Sequence, residues 1–313
     1  MKKELALWLF FLMLCFGAGF LKGNATADLG SSFFGGPTEV EILVTDEMFL
    51  PADIRQELEK KLNLQIKISV VHDREEFNIR TITSPGYHLA LVPDHWITPA
   101  NLAHQMSNIN PLIPLLSQRI SADFLQTSQQ KMYGAPIYWM VTQLYQTSGT
   151  TVPAPSKKYY LLKDWDELTT KISELHLSAD QVQPTEFFKA ISELNVGGSV
   201  FEISHLDQEA SKKLTPGPFA FTSLYVWSLC TPRHSPSRKI TLKLIEALTA
   251  PELQLKLISR LPIASTLKSL DQESLERSKK SLALRDLDLS HLRKPKSLSL
   301  EDLKQFKIDH SAH

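Results

Sequence analysis

The chain has 313 residues, long enough for two domains, because one hydrophobic core seldom grows beyond about 250 residues. Lysine plus arginine and aspartate plus glutamate stand at 34 each, so the formal net charge is zero and no bulk attraction to nucleic acid or an anionic membrane surface is expected. Charged residues make up 22% and apolar ones 42%, which is ordinary for a globular protein and names no partner.

The amino terminus is more informative. Lys2 and Lys3 precede a nearly unbroken apolar run from Leu5 to Phe20, then small and polar residues as far as Ala25, Thr26 and Ala27. That is the order of a secretory signal, so a signal peptide over 1–27 and export to the periplasm are expected. Two alternatives would hold the chain at the membrane. An uncleaved run of about 17 residues is at the lower limit for spanning a bilayer. Lipid attachment at Cys15 is disfavoured by bulky Leu14 and by the apolar residues that follow. With the signal removed, Cys230 has no second cysteine to pair with, and the fold must rest on its core.

After a flexible, glycine-rich leader over 28–38, a β-branched run predicts a first strand over 39–45. Pro51 suits a first helical turn, and Ile54, Leu58 and Leu62, four apart, predict a helix with one buried stripe. Residues 64–71 alternate and predict a second strand. Asp73 is placed to cap a helix from Arg74, and Pro85 and Gly86 turn the chain into an apolar third strand over 88–92, closed by Pro93. A β-α-β-α-β order with short connections predicts a doubly wound α/β layer on a parallel sheet. Next come an expected helix over 98–106, an extended crossing segment over 110–114, a helix over 121–131 and a strand over 137–145. Residues 147–156 have the richest loop composition and are placed as a domain boundary, with Tyr159 and Tyr160 in the linker. Residues 164–168 open a helix whose acidic first turn suits the macrodipole. A helix over 185–194, a strand over 197–204, a β-rich aromatic run over 219–230 and two helices divided at Pro251 follow. The last stretch is expected to be helical with a frayed end.

The third strand organises these segments, because a strand that stops at a proline delivers Asp94, His95 and Trp96 to its carboxyl end. In open α/β sheets the crevice outside those ends is where ligands bind. No GxSxG, HExxH, paired CxxC or P-loop spacing occurs, and the ten histidines form no close metal-ligand pair. No catalytic residue, metal site or cofactor is expected, and the chain is not expected to be an enzyme.

The order of segments resembles the bacterial periplasmic solute-binding proteins of ABC importers, in particular the spermidine/putrescine-binding type. The resemblance rests on LVTDEMFLPADI, YHLALVPDHW, YGAPIYWMVTQLY, KDWDELTTK and the long run from Tyr225 to Thr266, and it covers most of the mature chain. It implies a two-lobed α/β fold, each lobe a mostly parallel sheet flanked by helices, joined by crossing strands. Lobe 1 would occupy 39–145, a shortened lobe 2 146–225, the return to lobe 1 226–265, and a C-terminal helical segment 266–313. It further implies a monomer that binds a small cationic, polyamine-like solute and delivers it to a membrane permease, without nucleic acid. Rings would sandwich the solute's methylenes and carboxylates would take its ammonium groups, each ring face contributing about 0.5–2 kcal/mol.

Carried over by position, the ligand-binding candidates are Asp46, Glu47 and Phe49 after the first strand and Asp94, His95 and Trp96 after the third. Tyr138 and Trp139 would join them from the crossing strand, and Tyr225 and Trp227 from the return strand. Each has an ordinary structural alternative: a solvated turn for Asp46 and Glu47, a helix cap for Asp94, a surface or hydrogen-bonded histidine for His95, and core packing for the rings. The chain departs from the family with Asp46 where a tryptophan is usual, Trp227 where an acid is usual, and a short second lobe. A second functional expectation therefore stands beside the first: a degenerate solute-binding protein that acts as a protein-interaction or sensor subunit without a transport ligand.

Overall fold

The computed structural model describes residues 37–83, 86–97, 105–125, 131–147, 158–185, 199–204, 214–216 and 222–270. The first three strands, β1 (Thr38–Val44), β2 (Leu64–Val70) and β3 (Leu89–Pro93), pair in parallel in the order β2-β1-β3. Helices α1 (Ala52–Leu62) and α2 (Arg74–Thr83) connect them. Each boundary has a local cause. Pro51 stands at the amino cap of α1, Asn63 ends it in the left-handed conformation at φ 52°, and Asp73 Oδ1 accepts from Glu76 N at 2.8 Å to cap α2. All five residues of β3 are buried, as befits a strand covered on both faces.

The chain continues through β4 (Met106–Ser107), α3 (Ile113–Arg119) and β5 (Gly134–Thr147). Then follow β6 (Tyr159–Leu162), α4 (Trp165–Glu174), β7 (Val182–Thr185), β8 (Val200–Ser204) and β9 (Leu214–Pro216). It closes with β10 (Thr222–Pro232), α5 (Arg238–Leu248), α6 (Pro251–Ile258) and β11 (Ala264–Ser265). Among the described residues the sheet runs β2-β1-β3-β10-β5-β8-β6-β7, with β4 on β10 and with β9 and β11 on β5. The two ends, β2-β1-β3 and β8-β6-β7, are parallel, whereas β10 and β5 run antiparallel to each other and to β3 and β8. At roughly 3.3 Å per residue the 14 residues of β5 span about 46 Å, enough to serve both ends. This is the expected two-lobed α/β fold with crossing strands.

Side chains alternate between two faces. Phe49, Leu89, Leu91, Tyr138, Tyr225, Trp227 and Leu229 belong to the largest core, beneath α1, α5 and α6. On the other face, Leu43, Phe77, Tyr87, Ala90, Val92, Trp96 and Cys230 form a second. Leu144, Tyr159, Leu161 and Leu168 form a third, under α4.

Several element boundaries differ from expectation. Residues 110–114 are not extended: a 3-10 turn (Asn110–Leu112) leads into α3, because Pro111 and Pro114 sit in first turns, where the missing N–H is not needed. Of the helix expected over 121–131, Ser121 begins a turn instead, with Phe124 N donating to Ser121 O at 3.1 Å, and residues 126–130 lie outside the described residues. Tyr159 and Tyr160 are in β6 rather than a linker. Met106, placed in a helix, belongs to β4, and Thr185 ends β7, which among the described residues stands at the edge of the sheet, where Pro184 is tolerated. The rest of those two helices, the signal and most of the leader, the loop at the proposed domain boundary and the C-terminal stretch beyond residue 270 lie outside the described residues.

Candidate functional site

Parallel strands of a lobe end on one rim, so polar residues in the segments after β1, β2, β3 and β6 are candidates to line it. From the first lobe come Asp46 and Glu47 after β1, Arg74 after β2, and Asp94 and His95 after β3. From the second comes the acidic start of α4: Asp164, Asp166 and Glu167. The two sets meet directly. Arg74 Nη2 lies 2.8 Å from Asp166 Oδ1, with the side chains 0 and 1% exposed, and His95 Nε2 lies 3.0 Å from Asp164 Oδ2.

A polar stripe of α4 extends the junction inward. Glu167 Oε1 accepts from Ser223 Oγ at 3.1 Å. One turn on, Lys171 Nζ reaches Glu202 Oε1 of β8 at 2.5 Å and Tyr225 Oη of β10 at 2.9 Å. Glu202 also accepts from Thr142 Oγ1 at 2.6 Å and from Leu162 N at 3.0 Å. Arg74, Asp164, Asp166, Glu167, Lys171 and Glu202 are all buried, an unusual density of ionisable groups for a protein interior.

The fields inside this cluster act on its weakest base. Burial alone would lower the His95 imidazole, but the charge and hydrogen bond of Asp164, with Asp166 and Glu167 behind it, outweigh burial and hold it above its ordinary 6.5. Burial opposes ionisation of Asp164 as well, yet His95 and Lys171 bring its carboxyl below the usual carboxylate range. His95 and Asp164 therefore favour each other's charged forms. Coulomb attraction between buried opposite charges is largely offset by their desolvation, so such pairs add little net stability. They do fix which surfaces meet, because a pair pulled apart strands a charge on each side.

The residues singled out in the sequence are distributed as follows. Asp46 Oδ1 caps a 3-10 turn (Glu47–Phe49) by accepting from Met48 N at 2.8 Å, and Glu47 is exposed at that turn. Asp94 is half-buried and accepts from Ser228 Oγ at 2.8 Å. Phe49, Tyr138, Tyr225 and Trp227 come together: Phe49 lies 5.9 Å from Tyr138 and 5.0 Å from Trp227, and Trp227 5.8 Å from Tyr225. All four rings are buried in the largest core. Trp96 is on the opposite face of the sheet, 6.1 Å from Phe77, so it does not share a volume with Trp227. Trp139 turns to Phe124 at 6.0 Å and donates from Nε1 to Ser265 O at 2.9 Å.

Sequence reasoning missed Arg74, Asp164, Asp166, Glu167, Lys171 and Glu202 as site residues. Two signals were present. Lys171 stands three residues after Leu168, on the core-facing stripe of α4, and Glu202 is a lone charge in an apolar strand. Among the described residues, His95, Asp164 and Asp166 bring one potential metal-ligating atom each within 4.8 Å. The same three residues also take part in ion-pair contacts within the chain, Arg74 with Asp166 and His95 with Asp164.

The sequence matches no protein-family model and no curated protein. Solved structures do match the fold. A protein described as a spermidine/putrescine ABC transporter from Listeria monocytogenes superposes with a TM-score of 0.69 at 13% identity, over 88% of this chain and 99% of its own. The Tp0655 lipoprotein of Treponema pallidum gives 0.65 at 13% identity, over 88% and 98%. A bacterial solute receptor described as exclusive for β-D-galactopyranose gives 0.61 at 10% identity, over 88% and 93%. The chain thus has the two-lobed fold of periplasmic binding proteins, a fold whose bearers are described as taking amines in one case and a sugar in another. Among the described residues no helix is long and apolar enough to cross a membrane.

Proposed function

We propose that this chain is an exported protein of solute-binding architecture whose interlobe site is filled by its own side chains. It would stand closed without a solute and act by contact with a membrane partner, as a sensor or interaction subunit. One observation carries this: Arg74 and Asp166, in the first turns of helices that follow strands of opposite lobes, are bonded to each other at 2.8 Å out of reach of solvent. The buried rings of Phe49, Tyr138, Tyr225 and Trp227 support it, since each is in contact with another ring of the group.

A second reading is a receptor that passes a small cationic solute to an ABC permease. It is favoured by the residue balance, because the four carboxyl side chains Asp164, Asp166, Glu167 and Glu202 outnumber the basic side chains Arg74, His95 and Lys171 in the buried cluster. Opening the lobes would free those carboxylates for a cation. Titration calorimetry of the mature protein with putrescine and spermidine separates the two, with X-ray scattering in parallel. Flat traces and an unchanged radius of gyration are expected. Saturable heats with a contraction of the molecule would replace the first reading by the second.

A further inference from the structure

Lys171 places a primary ammonium where the closed junction can receive one. Its Nζ is wholly buried, bonded to Glu202 Oε1 and Tyr225 Oη, and 5.3 Å from the centre of the Tyr225 ring. The acceptor is oriented without the lysine. Thr142 Oγ1, on β5, and Leu162 N, at the end of β6, each donate to one oxygen of Glu202, so two strands set the carboxylate plane. A carboxylate and a phenol oxygen together suit a desolvated alkylammonium, which has three donors to satisfy. The Tyr225 ring also stacks on Trp227, with centroids 5.8 Å apart, which restrains its position.

We propose that Glu202, Tyr225 and Thr142 form a primary-ammonium subsite and that Lys171 is its tethered occupant. Shortening the side chain then opens the subsite to a free alkylamine. Beyond Cβ, lysine consists of three methylenes and an ammonium, which is the skeleton of n-propylammonium. Lys171→Ala therefore leaves a slot matched in length and charge to that amine. The inference rests on the reading of the junction as filled by the chain itself, and it names the chemical class the filled place would accept.

The test is thermal unfolding of Lys171→Ala against n-propylamine, methylamine, n-hexylamine and neutral n-propanol at constant ionic strength. n-Propylamine is expected to raise the melting temperature saturably, by about 4 °C or more. The other two amines should act more weakly and propanol not at all. Wild-type protein should not respond, and neither should Lys171→Ala/Glu202→Gln. A folded Lys171→Ala with no saturable response, or an equal response in wild type, overturns the subsite. Should Lys171→Ala fail to fold alone, recovery of its native circular dichroism on refolding with n-propylamine is the expected result; no recovery at any amine concentration overturns the proposal. Putrescine binding to wild type would sink the self-filled reading, whereas an inert wild type with an amine-insensitive Lys171→Ala would sink only the subsite.

Discussion

Arg74 and Asp166 depend on each other more than the stability of the fold depends on them. Removing one charge leaves the other buried and uncompensated, whereas removing both together with their shape roughly preserved is nearly neutral. Asp166→Asn is accordingly expected to lower stability by about 3–5 kcal/mol in urea unfolding, and Arg74→Met/Asp166→Leu to recover most of that loss. A single substitution with the wild-type midpoint would show that the pair does not hold the lobes. His95 adds a dependence on pH. Its folded value is raised above 6.5 by Asp164, Asp166 and Glu167, so its contribution is complete below 6.5 and fades as pH rises through that raised value. Asp164 is lowered from 3.8, so its contribution is complete above 3.8 and fades on acidification through the lowered value. Stability is expected to be greatest between these limits and to fall on the alkaline side of 6.5. His95→Gln should flatten that alkaline fall, as followed by thermal melts across pH.

At the scale of elements, the pairing of β5 with β10 joins the lobes, and at Gly134 it leaves little room for a side chain. A Cβ there would come 3.0 Å from Ser228 Cβ and 3.3 Å from Ile97 Cδ1. The nearer atom is tied to the β10 backbone and cannot swing away, so Gly134→Ala is expected to cost about 1–3 kcal/mol by overpacking. A melting temperature equal to wild type would count against this close approach. Most elements were legible because their periodicity and boundary residues agree: the Pro51 start and the stripe of α1, the Asp73 cap of α2, the apolar run of β3. Elements governed by tertiary pairing were not. Tyr159 and Tyr160 look like linker residues until β7 and β8 flank them, and Pro111 and Pro114 read equally as extended chain or first-turn prolines. The site was legible only by half. Strand-end position pointed to Asp94 and His95, but nothing local tells a helix-opening Asp164 or Asp166 that its partner will be a histidine or arginine some 70–90 residues earlier.

For the molecule as a whole, Cys230 reports on whether closure is a property of the entire fold. Burial, with the charge of Asp94 nearby, pushes its thiol well above the ordinary range, and it has no exposed surface. Thiol reagents should therefore modify it only at the rate of global unfolding, with Asp166→Asn accelerating the reaction in step with its loss of stability. Modification far faster than unfolding would show that the β3–β10 seam opens locally. That seam also governs how the chain must come to its shape. Thr231 Oγ1 of β10 donates to His88 O from 143 residues away, so the flank of β3 has no lasting neighbour until much of the polypeptide has been made. Assembly dominated by such remote pairings is slow. In the interval a bare, oily strand edge is open to association with other nascent copies.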